Sequence, residues 1–214
     1  MSHYLDLYDY RCRVAASYRQ RNRALLAGED PALTLQRFHK ERDNLFASHS
    51  QSALDEEQKR EFQGLRYFPY NPAMRFAVTV DTNVASESRH ITLSEQESLN
   101  ITTIGQVSFT VDGQPVTLSL YWLDIYGGGL FLPFRDATCP QESYGGGRYL
   151  FDTIKGSTPI PIPDEAGWKR MILDFNYAYN PSCAYNPRWI CPLAPAENTL
   201  TVAITAGEMK FFNV

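Results

Sequence analysis

The run Val107-Ser108-Phe109-Thr110-Val111-Asp112-Gly113-Gln114-Pro115-Val116-Thr117-Leu118-Ser119-Leu120-Tyr121-Trp122 decides the fold. Val107, Phe109 and Val111 alternate with Ser108 and Thr110, and Val116, Leu118, Leu120 and Trp122 alternate with Thr117, Ser119 and Tyr121. Successive strand side chains point to opposite faces, so this period of two gives each arm one apolar face, and Asp112-Gly113-Gln114-Pro115 turns the chain between them. The run reads as an antiparallel hairpin with Trp122 on its inward face. Outward from it the same period recurs, punctuated by Gly, Pro, Asn and Asp. Further strands are expected near 76–82, 89–94, 99–104, 129–133, 147–153, 168–175, 199–205 and 208–212, roughly ten in all. No helix-length pattern separates them, so parallel crossovers are excluded and the sheet should be mainly antiparallel.

Upstream the period changes. Residues 1–66 read as a helical segment, to be packed on an antiparallel β-barrel domain at 67–214. Leu5, Tyr8, Cys12 and Ala15 fall on one helix face, and Gly28 ends that helix. Asp30 offers an N-cap oxygen and Pro31 an N1 residue, so a second helix should run from about Pro31 to Phe46 with Leu35, Phe38, Leu45 and Phe46 inward. Asp55 with Gln58 three residues on has the form of a capping box, starting a short third helix that ends near Phe62. The fold class is therefore mainly β: an antiparallel β-barrel or closed roll with an N-terminal helical segment.

The chain has 214 residues, 43% hydrophobic and 21% charged, which excludes collagen, coiled coil and intrinsic disorder. A net charge of -4 supplies no overall attraction for phosphate backbones or anionic lipid, so neither nucleic acid nor membrane is expected as a partner. The first twenty residues hold Asp6, Asp9, Arg11 and Arg13 and no apolar run, so a soluble, cytoplasmic chain is expected. Cys12, Cys139, Cys183 and Cys191 are too few for a disulfide framework. Cys183 and Cys191 should be buried beside Tyr179 and Tyr185 as unreactive small hydrophobes, with a disulfide between them on air oxidation as the alternative.

Three segments depart from strand patterning: Gly127 to Asp136, Glu142 to Tyr149, and Asp174 to Asn198. The glycine triplets at 127–129 and 145–147 could cradle an anion, but strands follow both, so neither matches a P-loop or a dinucleotide fingerprint; tight turns are the plainer reading. Arg135 and Arg148 sit beside these turns, and a guanidinium fork suits a carboxylate or phosphate; internal pairing with Asp136, Glu142 or Asp174 is the competing reading. No histidine follows His90, so a nucleophile–histidine system or a histidine metal site cannot be built from these segments alone, and no metal or cofactor is expected. Catalysis, if present, would draw its acid and base from Asp136, Glu142, Asp174 and Glu197. Asp174 to Asn198, rich in Asn, Tyr and Pro, is long enough for a lid or pocket wall, or for a self-bracing clamp.

Together Leu130–Thr138, Glu142–Leu150, Asp174–Tyr185 and Cys191-Pro192-Leu193 resemble the family described as domain of unknown function 1684. The likeness extends more weakly from about Phe38 to Glu208. Cys139-Pro140 stands where a Ser-Gly pair is usual, and Ala53 where Ser-Pro-Leu is usual. The resemblance implies one fold unit and carries no activity or catalytic residue. The leading expectation is binding of a small polar or anionic molecule at the barrel mouth, with Arg135 and Arg148 as anion contacts and Asn176, Tyr179, Asn180 and Tyr185 as the wall. The alternatives are a metal-independent hydrolase or isomerase using a carboxylate pair, and a structural or interaction protein without a pocket.

Overall fold

The computed structural model describes residues 3–163 and 167–211. Helix α1 (His3–Leu26) stops before Gly28, whose positive φ of 78° suits a residue without Cβ. Helix α2 (Pro31–Ser48) starts as its sequence dictates: the Asp30 carboxylate accepts the Leu33 N–H at 2.9 Å, and Pro31 occupies a position whose N–H would have no partner. The capping box of α3 (Glu56–Glu61) is complete, with Asp55 accepting from Glu57 and Gln58 and the Gln58 side chain accepting from Asp55 N–H.

The strands are β1 (Arg75–Asp81), β2 (Ser88–Thr92), β3 (Ser98–Val111), β4 (Gln114–Leu123), β5 (Gly129–Phe134), β6 (Arg148–Asp152), β7 (Ile160–Pro161) and β8 (Arg170–Asp174). All pairings are antiparallel, in the order β6-β5-β4-β3-β1-β8-β7, and β2 lies on the first half of β3. The β3–β4 hairpin has the two-residue turn Asp112-Gly113, both at positive φ, with Val107 opposite Leu118 and Phe109 opposite Val116. The sheet curls into a half-barrel. Past β8 the chain returns to the far edge, where Tyr149 and Tyr179 exchange backbone hydrogen bonds at 2.8 and 2.9 Å and tie β6 to the long connection.

The main core fills the concave side with Val78, Val107, Leu118, Leu120, Leu132, Phe134, Phe151, Leu173, Phe175 and Ile204. A second cluster of Ile101, Tyr121, Leu123, Phe131 and Tyr149 lies on the opposite side of the sheet, with Ile154 and Tyr179 packed against it. That second cover corrects the reading of β4 at Tyr121, which is fully buried because the face opposite the core is not open to water there; Trp122, read as inward, is 38% exposed. Residues 99–104 and 107–111 belong to one fourteen-residue strand interrupted by a bulge at Ile104.

Among the described residues the expected strands at 199–205 and 208–212 do not form, and position 212 lies outside them. In the described part of this stretch the backbone groups bond to side chains and to scattered segments, leaving only isolated bridges at Thr199 and Glu208. The face expected inward on α1 is also wrong. Leu5, Tyr8 and Cys12 are exposed, whereas Tyr18, Arg21 and Ala24 are buried. Arg21 can be buried because its guanidinium lies 4.6 and 4.7 Å from the Tyr18 and Tyr177 ring centroids and donates to Thr158 O at 2.6 Å. Leu35, Phe38 and Phe46 of α2 are buried as read, with Phe38 edge-on to both Tyr18 and Tyr177. Among the described residues no helix is long and apolar enough to cross a membrane.

Candidate functional site

The two arginines singled out by their glycine turns sit in different surroundings. Arg148, first residue of β6, is completely buried. Its Nη2 donates to Asp136 Oδ1 at 3.1 Å and Ile204 O at 2.9 Å, and its Nη1 to Ala206 O at 2.5 Å and Glu208 O at 3.2 Å. Asp136 in turn accepts the Ile204 N–H at 2.7 Å and the Thr138 hydroxyl at 2.9 Å. One guanidinium thus holds three alternate carbonyls of the 204–208 segment in place of a neighbouring strand. Arg148 and Asp136 brace the fold, and the anion that matches the guanidinium fork is the protein's own carboxylate. Arg135 anchors through its backbone, donating to Asn198 O and accepting from Leu200 N–H, while its buried Nε has no protein partner.

The glycine triplets make turns. Gly147 has φ of 91°, and a Cβ there would stand 2.5 Å from Phe134 O; one on Gly128 would stand 2.3 Å from the Trp122 indole. The carboxylates are also dispersed. Asp174 caps the turn at 175–177 and bonds Asn176, Glu197 holds Arg89 and the Tyr121 hydroxyl, and Glu142 is exposed. Asp136, Asp174 and Glu197 therefore answer to three different sets of neighbours. Among the described residues no three His, Cys, Asp or Glu side chains gather as a metal ion would require. Asn176 is a staple: its amide accepts from Asn71 N–H at 2.8 Å and donates to Asn71 O at 2.9 Å.

The remaining three residues of the expected wall do come together. Tyr179, Asn180 and Tyr185 line a cleft of about 70 Å³ beneath the helices, with Tyr10, Val14 and Tyr18 from α1, Arg42 and Phe46 from α2, and Tyr149, Lys155, Ser157, Pro181 and Ser182 from the sheet edge and its connection. This volume holds about five water molecules or a fragment of a few heavy atoms. Below it lies a charged knot. Glu208, 1% exposed, accepts from Arg42 Nη2 at 3.0 Å, from the Asn180 amide at 3.1 Å, from the Asn180 N–H at 3.3 Å, and from the Tyr185 hydroxyl. Arg42 also donates to the Tyr185 hydroxyl at 3.1 Å, and its guanidinium lies over the Phe46 and Tyr179 rings. Two polar atoms of the cleft residues have no protein partner: Arg42 Nε, a donor, and Asn180 Oδ1, an acceptor.

Burial pushes the phenols of Tyr10, Tyr149, Tyr179 and Tyr185 upward, so they remain protonated hydroxyls able both to donate and to accept. Tyr179 and Ser157 hydroxyls bond at 2.7 Å, and the Tyr149 hydroxyl donates to Pro192 O. Lys155 stands at the rim 3.9 Å from Asp152. Arg42 and Glu208 were missed in the sequence because each lies in an ordinary local context; their meeting spans 166 positions. Only Arg42 within a helix otherwise read for its apolar face offered a signal, and helical arginines are usually solvated.

Comparison with known proteins agrees with this architecture. The chain is similar to an uncharacterized protein of Haloarcula marismortui solved by solution NMR, at 36% identity and a TM-score of 0.59, covering 83% of this chain and 92% of that one. No curated protein sequence matches. The profile described as "Protein of unknown function (DUF1684)" matches residues 60–209, which takes in the whole sheet, the long connection and Glu208, and the chain belongs to that family.

Proposed function

We propose that the protein binds a small polar molecule in the cleft between α1, α2 and the β6 edge, with Arg42, Asn180, Tyr179 and Tyr185 as the recognising groups. One observation carries this reading: a buried guanidinium N–H and a buried amide oxygen, both without protein partners, belong to residues that line one cleft. Unpaired buried polar groups cost about 1 to 3 kcal/mol each, so a ligand that satisfies both gains what the free protein forgoes. Arg42 is offset by Glu208 and Lys155 by Asp152, so the cleft suits a hydroxy acid or a neutral amide better than a polyanion. The phenols can engage hydroxyl or carbonyl oxygens without adding charge. The expected anion contact passes from Arg135 and Arg148 to Arg42.

The test is a thermal-shift screen of small hydroxy acids, amides and polyols, repeated on Arg42→Lys. Lysine keeps the charge and lacks Nε–H geometry. A ligand present at 100 times its dissociation constant should stabilise the wild type by about 2.7 kcal/mol. The shift should vanish in Arg42→Lys and persist in Arg135→Lys. Equal shifts in wild type and Arg42→Lys would place the ligand elsewhere.

A further inference from the structure

Cys183 and Cys191 were expected to be sealed in apolar surroundings; both are instead half-buried, free thiols, and they meet. The Cys191 sulfur accepts the backbone N–H of Cys183 at 3.4 Å. A sulfur 3.4 Å from that nitrogen lies within about 5 Å of the Cys183 Cα, since N and Cα are about 1.5 Å apart, which is inside the reach of the Cys183 side chain. Position is fixed on both sides. Cys183 belongs to the single helical turn Ser182–Ala184, with the Tyr144 hydroxyl 3.7 Å from its sulfur, and Cys191 precedes Pro192, whose carbonyl accepts the Tyr149 hydroxyl.

We propose that Cys191 and Cys183 form a redox-active dithiol in which Cys191 is the nucleophile toward small hydroperoxides and Cys183 is the resolving thiol. The surroundings of Cys191 match that role. The neighbouring Cys183 thiol first, then the Lys155 ammonium and the adjacent backbone N–H groups, pull its pKa down to about 6 against the opposing effect of burial. Cys183 is pushed up, chiefly because its thiol donates to Cys191 and secondarily by burial.

The chemistry closes with a hydroperoxide as oxidant. The Cys191 thiolate attacks the distal peroxide oxygen; an S–O bond forms, the O–O bond breaks, and the alkoxide or hydroxide leaves and takes a proton from water. Sulfur is oxidised by two electrons and the peroxide reduced by two, giving a sulfenic acid. The Cys183 sulfur then attacks Cys191; the S–S bond forms, the S–O bond breaks, and hydroxide leaves as water with the Cys183 proton. A low-molecular-weight thiol reverses the disulfide by two exchange steps.

The test uses the full chain and hydrogen peroxide. One equivalent should lower the intact mass by about 2 Da, with the new crosslink mapped to Cys183–Cys191 and reversed by a thiol reductant. In Cys183→Ser, Cys191 should stop at sulfenic acid, captured by dimedone. Alkylation of Cys191 by iodoacetamide should level off above about pH 7, whereas an unstructured cysteine peptide keeps accelerating to about pH 8.5. Oxidation confined to Cys12 or Cys139 would overturn the proposal. So would an alkylation rate at Cys191 that tracks the peptide through the whole range. Both readouts are made on the wild-type protein, so they stand even if a variant fails to fold.

Discussion

Arg148 and Arg42 make a controlled comparison inside one molecule. Both are buried guanidiniums, both pair with one carboxylate, and both lie against aromatic rings. Arg148 spends its Nη groups on Asp136 and three carbonyls of a segment that would otherwise be unpaired. Among the described residues Nε has no protein partner in either arginine; Arg42 differs in sharing one Nη2 between Glu208 and Tyr185 and in bordering a cleft. Burial and a carboxylate partner therefore do not separate a bracing arginine from a binding one. What separates them is that the Nη groups of Arg148 are taken up by three backbone carbonyls, whereas Arg42, among the described residues, makes no backbone-carbonyl contact of that kind and lines a cleft.

The largest effect should come from Arg148→Ala, which leaves Asp136 as an unpaired buried charge and frees three carbonyls; a loss of about 3 to 5 kcal/mol in urea unfolding is expected. A loss below about 1 kcal/mol would remove Arg148 from the bracing role. Phe38→Ala should follow at about 3 kcal/mol, because Phe38 fixes α2 edge-on against Tyr18 and Tyr177 and so sets the roof of the cleft. Wild-type-like melting would show the helical cover to be energetically detached from the sheet.

Next comes a pH effect on the same roof. Burial, aided by Arg42, holds the His39 pKa down to about 4, below the ordinary 6.5. The unfolded chain then binds a proton that the folded chain refuses. His39's contribution is fully present above about pH 6.5 and is lost progressively as pH falls from there to about 4. The loss amounts to about 3 kcal/mol at most, and His39→Phe should flatten that part of the stability profile. An unchanged slope in the variant would assign the acid sensitivity to other groups. Arg42→Ala should cost less than Arg148→Ala, about 1 to 3 kcal/mol, because Glu208 keeps Asn180 and Tyr185 and the cleft admits water. Equal losses at the two arginines would erase the distinction. Smallest, Tyr179→Phe should cost about 1 kcal/mol for its bond to Ser157, while weakening any ligand-induced shift.

Most of what was legible in the sequence depends on short range. The caps at Asp30 and Asp55 and the Gly28 stop are decided by residues within four positions and form as read; the turn read over Asp112-Gly113-Gln114-Pro115 also forms, shortened to Asp112-Gly113 because Gln114 and Pro115 already pair with Val111 and Thr110. Tyr121, Arg21 and the 199–208 stretch failed for the opposite reason. Tyr121 is covered by Phe131 and Tyr149, Arg21 by Tyr177, and Ile204 by Arg148, partners that no local pattern names. The site divides the same way: Tyr179, Asn180 and Tyr185 stood out as an unusual cluster, whereas Arg42 and Glu208 acquire meaning only from each other.

The Tyr149–Tyr179 exchange that ties the returning chain to β6 has a kinetic meaning. The cleft draws on residues 10–18, 42–46, 149–157, 179–185 and, beneath it, 208, so every wall is far in sequence from its neighbour. Loops of that length close late, after local hairpins and helices have formed. During synthesis the helices and the β3–β4 hairpin can form before the later segments are made, but the Arg42–Glu208 pair beneath the cleft cannot form until Glu208 has emerged. A ligand that recognises Arg42 and Asn180 together would therefore distinguish chains whose Asn180 segment has docked under the helices from those in which it has not.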